Sequence, residues 1–261
     1  MNSVRVFFIG GYLAYRALFN WIHWSIYVPT MLGSPIFQIL FFAYVGRFAG
    51  LRDDAFFVVG NAVQVACMAG VYGMALTIGG ERWTQTLSPL LATPANRFAL
   101  FMGRALPNFV NGLIVSAFGF VVGWALLEFD PPLSSLPALA LCVVVSAASC
   151  TALGMLIGSV GLRARDVMFL ANLVYFLLLL FCGVNIPLDE LPGWIEAIGR
   201  SLPLTHGIEA AREVAAGAPL VAVDHLLWRE AATGAAYALA AYGLFRYLEF
   251  EGRRRASLET I

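Results

Sequence analysis

The chain has 261 residues, 60% of them hydrophobic and 12% charged, with a formal net charge of zero. So apolar a composition exceeds what one aqueous core of this length buries, which makes the class a polytopic membrane protein. Balanced charge leaves no basic footprint for nucleic acid. All 16 basic residues are arginine, which reads more simply as coding bias than as selected chemistry. With no lysine, the chain cannot cradle nucleotide phosphates through a Walker P-loop.

Residues 1–28 come first, with Val4, Phe8, Tyr15, Leu18, Phe19, Ile22 and Ile26 at helical spacing. Arg5, Arg16, Asn20 and His23 fall on another face. An aromatic-rich amphipathic helix of this kind is expected to lie in the membrane interface. A poorly formed extra span is the competing reading, weakened by the two arginines and the Gly10–Gly11 pair. These residues lack the basic, apolar, small-residue order of a cleavable signal peptide, so none is expected.

A spanning helix needs about 20 mostly apolar residues. Six stretches within residues 29–248 meet or approach that: Pro29 to Phe48, Ala55 to Ile78, Ala105 to Leu127, Pro137 to Val160, Val167 to Val184 and Ala231 to Leu248. The predicted fold class is therefore an all-α membrane protein of six transmembrane helices. Residues 249–261 form a tail.

Few polar residues interrupt the spans. Asn61 and Gln64 lie in the second, Asn108 and Asn111 in the third, and Asn172 in the fifth. Such amides either line a substrate path or bond helix to helix at modest energy, and the second is the commoner use. Intramembrane carboxylates and broken helices, the usual equipment of ion-driven carriers, are scarce. The energy source is expected elsewhere.

Between the second and third spans, residues 79–104 read GGERWTQTLSPLLATPANRFALFMGR. Thr86, Leu87, Leu90 and Leu91 suit a short helix or turn that ends near Thr93–Pro94, because a residue before proline avoids the helical region. Leucines presented by a loop imply cover by another protein or by the membrane surface. The connection after the fifth span, residues 185–230, is broken by Pro187, Pro192 and Pro203. Trp194, Ile195, Ile198 and Leu202 form an apolar stripe between the breaks. That stripe favours short helices dipping back into the bilayer over a plain loop.

Arginine counts set the orientation. With both termini inside, Arg5, Arg16, Arg82, Arg97, Arg104, Arg163, Arg165, Arg246, Arg253, Arg254 and Arg255 are internal, while Arg47, Arg52, Arg200, Arg212 and Arg229 are external. The bias follows the positive-inside rule, so both termini are expected in the cytoplasm and residues 185–230 outside. Cys67, Cys142, Cys150 and Cys182 show no CxxC spacing and read as small hydrophobes. His23, His206 and His225 are too scattered for a metal site, and none is predicted.

Two stretches together resemble the type-2 ABC-transporter permease family, the six-span membrane subunits of bacterial exporters. In GVNIPLDELPGWIEAIGRSLPLTHGIEAAR, residues 183–212, the matching positions are Pro187, Leu188, Leu191, Pro192, Trp194, Leu202, Pro203, Leu204, Thr205, Glu209 and Arg212. His206 stands where the family often has an aromatic. In ERWTQTLSPLLATPANR, residues 81–97, they are Glu81, Arg82, Thr86, Leu87, Leu90, Leu91, Thr93, Pro94 and Arg97. Gln85 and Ser88 replace a common glycine and acid.

The resemblance implies a bacterial inner-membrane exporter with a second permease chain, identical or related, and two ATP-binding cassette subunits that bind ATP and Mg. This chain would then have no catalytic residues and no cofactor of its own. The 79–104 loop would couple it to the ATPase. Pro187, Leu191, Pro192, Trp194, Leu202, Pro203, Leu204 and Thr205 would form re-entrant outer helices that close the exit. An uncharged, aromatic path suits an amphipathic drug or lipid-like substrate, with antibiotic resistance as one outcome. Exporters of lipid-linked polysaccharide or teichoic acid share the same plan. A membrane-embedded lipid-modifying enzyme is the reading from another class; it needs convergent acid, base or metal groups. No HExxH or GxSxG occurs, and Asp53–Asp54 and Asp189–Glu190 read as solvated turns.

Overall fold

A computed structural model describes residues 3–19, 24–50, 53–83, 97–161 and 166–255. The described residues are helical, with no strand among them. In chain order the helices are α1 (Ser3–Phe19), α2 (Trp24–Tyr27), a π-helical stretch (Val28–Gly33), α3 (Ser34–Ala49), α4 (Asp54–Trp83), α5 (Arg97–Leu126), α6 (Leu136–Gly161), α7 (Val167–Phe181), α8 (Gly193–Ser201), α9 (Thr205–Ala215) and α10 (Leu220–Arg255). Single 3-10 turns cover Leu133–Ser135 and Leu188–Glu190.

Helices α3 to α7 and α10 run alternately between two ends of the molecule. One is the 83–97 end, where α4 stops and α5 starts; the other is the 182–219 end, which carries α8 and α9. Among the described residues three stretches are long and apolar enough to cross a membrane: Asp54–Gly79, Leu100–Leu126 and Leu133–Gly161. Ser34–Ala49 and Val167–Phe181 are shorter apolar helices. In α10 the apolar part is alanine-rich and interrupted by Tyr237, Tyr242 and Arg246.

Local chemistry sets the boundaries. Gly50, at φ +64°, ends α3 in the left-handed conformation that glycine adopts freely. Arg47 Nε donates to Asp54 Oδ1 at 2.8 Å across the turn into α4. Asp166 accepts from Met168 N and Phe169 N and caps α7.

Three boundaries differ from expectation. Over the first expected span, the described helix already runs from Trp24 and carries Pro29 inside the π-helical stretch. The third does not start at Ala105; α5 begins at Arg97 and passes through Pro107. The last helix begins at Leu220, not near Ala231, because Val223, Leu226 and Glu230 recur on one face and are buried there. Asp224, His225 and Arg229 are simply its exposed side.

Helix α4 is the central element. Of its apolar stretch 72% is buried, against 33% for α5, so α4 is enclosed by its neighbours and α5 faces outward. Close approach depends on small residues, as is general between membrane helices. A Cβ on Gly154 would stand 2.8 Å from the Val71 backbone, and one on Gly112 would stand 2.6 Å from Ala66 O. The four cysteines are unpaired and fully enclosed in the helix packing.

Candidate functional site

At the 182–219 end each short element starts behind a proline. Pro187 and Pro192 are the N-caps of the turn Leu188–Glu190 and of α8, and Pro203 immediately precedes Leu204, the residue before α9. Proline's fixed φ and absent N–H suit such positions. The structure gathers every residue of the expected gate at this end. Pro203, Leu204 and Thr205 are buried, Pro187, Leu191 and Leu202 half-buried, and Pro192 and Trp194 exposed. The rings of Trp194 and Phe181 meet edge-on at 6.5 Å, and Thr205 Oγ1 donates to Gly199 O at 2.6 Å.

Two charged side chains hold this end together. Arg212 donates to Gly183 O and Val184 O, both at 2.8 Å, and to Phe56 O at 3.1 Å. Its guanidinium also lies 3.5 Å above the Phe56 ring. Glu230 of α10 accepts from Leu204 N at 2.7 Å and Gly207 N at 3.1 Å, which caps the start of α9. Beside them a cavity of about 290 Å3 is lined by Phe56, Leu188, Asp189, Arg200, Glu209 and Arg212. The hydrogen bond with His206, 3.4 Å away, holds the Glu209 carboxyl below its ordinary range, against the opposing effect of burial.

Just inside the 182–219 end, with Asn185 contributed by that end itself, lies a layer of amides. Gln38 Nε2 donates to Asn61 Oδ1 at 2.9 Å and to Gln64 Oε1 at 3.0 Å. Asn61 Nδ2 donates to Asn185 Oδ1 at 2.7 Å, and Tyr175 OH donates to Gln38 Oε1 at 3.0 Å. Gln64 Nε2 and Asn185 Nδ2 are buried donors without a partner. The expected path residues are thus divided. Asn61 and Gln64 share this layer, while Asn172 bonds with Tyr72 at 2.8 Å nearby. Asn111 accepts from Tyr27 OH at 2.6 Å on another face of the bundle, and Asn108 packs against Gly73.

Asn111 and Tyr27 open onto a cavity of about 790 Å3 between α1, α2 and α5, lined by Phe8, Tyr12, Tyr15, Leu106, Ile114 and Phe118 among others. Gly10 and Gly11 let α1 lie on α5 at Leu100 and Gly103. Pro107 has no N–H to return to the Gly103 carbonyl, and that carbonyl lies under Gly11. The outward face of α1 keeps Val4, Phe8 and Tyr15 exposed. Of the expected coupling residues, Glu81 and Arg82 end α4 and Arg97 starts α5. Thr86, Leu87, Leu90, Leu91, Thr93 and Pro94 lie outside the described residues.

Sequence reading missed Glu230, Gln38, Tyr175 and Asn185. For Glu230 a signal existed: with Val223 and Leu226 it makes an i, i+3, i+7 set. Gln38 is a lone amide in an aromatic run, FQILFF, and no spacing distinguishes it.

A family model described as ABC-2 type transporter matches residues 10–215, from α1 to the end of α9. The probable multidrug ABC transporter permease YbhR of Escherichia coli (strain K12) is 25% identical over 199 residues, covering 74% of this chain and 53% of that protein. Nodulation protein J of Rhizobium leguminosarum bv. trifolii is 26% identical over 191 residues, covering 69% of this chain and 68% of its own. The probable doxorubicin resistance ABC transporter permease protein DrrC of Mycobacterium tuberculosis (strain ATCC 25618 / H37Rv) is 23% identical over 242 residues, covering 87% and 85%. The chain spans about half the length of YbhR.

Proposed function

The chain belongs to the ABC-2 type transporter family, and from that premise we propose that it is the membrane-spanning permease of an ATP-driven exporter of amphipathic or lipid-like compounds. The observation that carries the substrate class is the cavity of about 790 Å3 between α1 and α5. Its aromatic walls with one phenol–amide pair suit a mostly apolar molecule bearing a few polar groups. The named roles of YbhR and DrrC, multidrug transport and doxorubicin resistance, point the same way.

In this reading the arginine-rich 83–97 end faces the cytoplasm. Two ATP-binding cassette subunits, which hold ATP and Mg, dock there on Glu81, Arg82, Arg97 and the leucines between them. A second permease chain completes the pathway. Substrate enters the α1–α5 cavity from the inner leaflet, passes the amide layer, and leaves where α8 and α9 close the far end. Nucleotide shifts the balance by binding the two states of the complex with different affinity. The unpartnered Gln64 and Asn185 donors favour a second reading, a lipid-linked polysaccharide or teichoic acid whose hydroxyl oxygens would accept from them.

Co-purification with the genomically neighbouring ATPase tests the premise. The wild-type chain is expected to form a stable complex and alter ATP hydrolysis, and Leu91→Asp to abolish the effect while leaving the helices folded. A chain that purifies alone and leaves hydrolysis untouched ends the exporter reading. Drug accumulation in cells with and without the complete transporter separates the two substrate classes.

A further inference from the structure

Glu230 sits on α10 with no exposed surface, yet both hydrogen bonds of its carboxylate go to the start of a different helix, Leu204 N at 2.7 Å and Gly207 N at 3.1 Å. The first turn of any helix has free N–H groups and a partial positive charge, and a carboxylate satisfies both. Caps ordinarily come from the adjoining residue. Here that residue is Leu204, which has no side-chain acceptor and is held at φ +95°, a conformation costly for leucine. Glu230 therefore does from α10 what the local sequence cannot. The joint is braced by α6, where Ser149 Oγ donates to Glu230 O at 2.8 Å and Ser146 packs on Gly207.

From this joint α10 continues without a proline to the opposite end of the molecule. From Glu230 to Phe245 is about 22 Å along the helix. There Phe245 meets Phe101 of α5 edge-on at 5.5 Å, and Ala241, Phe245 and Leu248 share a buried cluster with Met74 and Ile78 of α4. Those α4 and α5 residues flank the connection at the 83–97 end. One unbroken helix is thus packed on the roots of that connection and bonded to the first turn of α9.

We propose that Glu230 is the positioning residue through which α10 conveys the state of the 83–97 end to the short helices of the 182–219 end. The inference rests on the exporter reading, because it needs a partner that changes state at the 83–97 end. A joint made of two backbone N–H groups on one carboxylate moves α9 with α10, and without it α9 keeps its own position.

The test uses the full chain in nanodiscs with its partner ATPase, and compares hydrogen exchange at residues 204–207 with and without ATP plus vanadate. In the wild type, trapping nucleotide is expected to change exchange there. In Glu230→Ala the nucleotide-dependent change falls about tenfold while ATP hydrolysis stays within about twofold of wild type. Glu230→Gln, which keeps the volume and one accepting oxygen, lies between and guards against a simple folding defect. The proposal is overturned if either variant keeps the full nucleotide-dependent change. It is equally overturned if hydrolysis is lost in step with that change in both variants, which would make Glu230 a general support of the fold. No nucleotide effect at 204–207 in a wild-type complex that hydrolyses ATP overturns it as well. A wild-type chain that never binds the ATPase refutes the exporter reading itself, and is seen before any variant is made.

Discussion

The 182–219 end and the amide layer are both polar regions in an apolar molecule, and they handle polarity in opposite ways. At the 182–219 end the polar work is done by an arginine and a glutamate with fixed backbone partners: three carbonyls for Arg212 and two N–H groups for Glu230. In the amide layer the side chains are neutral, bond mainly to one another, and leave Gln64 Nε2 and Asn185 Nδ2 unpaired. A buried charge is tolerable only when its partners are in place, so it suits a lock. A buried amide donor without a partner costs about 1–3 kcal/mol, a penalty that a fold survives and a passing ligand can relieve. Charges therefore fasten this molecule, and amides keep one layer of it adaptable.

The strongest way to break the contrast is to remove a lock. Arg212→Ala strands the carbonyls of Phe56, Gly183 and Val184, and is expected to lower stability by about 3 kcal/mol in detergent unfolding. Arg212→Lys should recover less than half of that, since one ammonium nitrogen cannot occupy the places of the two guanidinium nitrogens that hold these carbonyls, nor stack flat on Phe56. An unchanged unfolding midpoint in Arg212→Ala would show that this end is not fastened by charge.

Two leucine substitutions in the amide layer sharpen the comparison further. Gln38→Leu strips a partner from Asn61, Gln64 and Tyr175 at once and should cost about 2 kcal/mol. Gln64→Leu deletes an unpaired donor and, with it, the acceptor of one Gln38 Nε2 bond, so the two effects oppose and stability should change by less than about 1 kcal/mol, while transport falls if that donor meets substrate. Equal destabilisation by both would mean that the layer is an ordinary structural network.

The smallest effect concerns pH. Because the carboxyl of Glu209 sits below its ordinary value of 4.5, its contribution is complete above that value and fades as pH falls through the lower folded one. Glu209→Gln should flatten this acid limb in thermal unfolding curves and leave neutral pH almost unchanged.

Much of this was legible in the sequence. Pro187, Pro192 and Pro203 marked the breaks at the 182–219 end because proline acts through its own ring and missing donor, whatever surrounds it. Asn61 and Gln64 stood out as amides in an apolar run. Their partners Gln38, Tyr175 and Asn185 did not, because the pairings cross up to 137 positions of chain and leave no local period. Glu230 was obscured by its neighbours: Asp224, His225 and Arg229 gave the segment the look of a loop, when they are one side of α10. The helical stretch ahead of Pro29 was not legible, because a π-helical stretch accommodates a proline inside a helix.

Cys67, Cys142, Cys150 and Cys182 are 0–1% exposed. An aqueous maleimide therefore has no native thiol within reach, and the natural chain already serves as a silent background for site-directed labelling. One cysteine introduced at Trp194, 64% exposed at one end, or at Phe250, 66% exposed towards the other, would be the only sulfur such a reagent finds. Sidedness and distance can then be measured with the packing of the bundle left as it is.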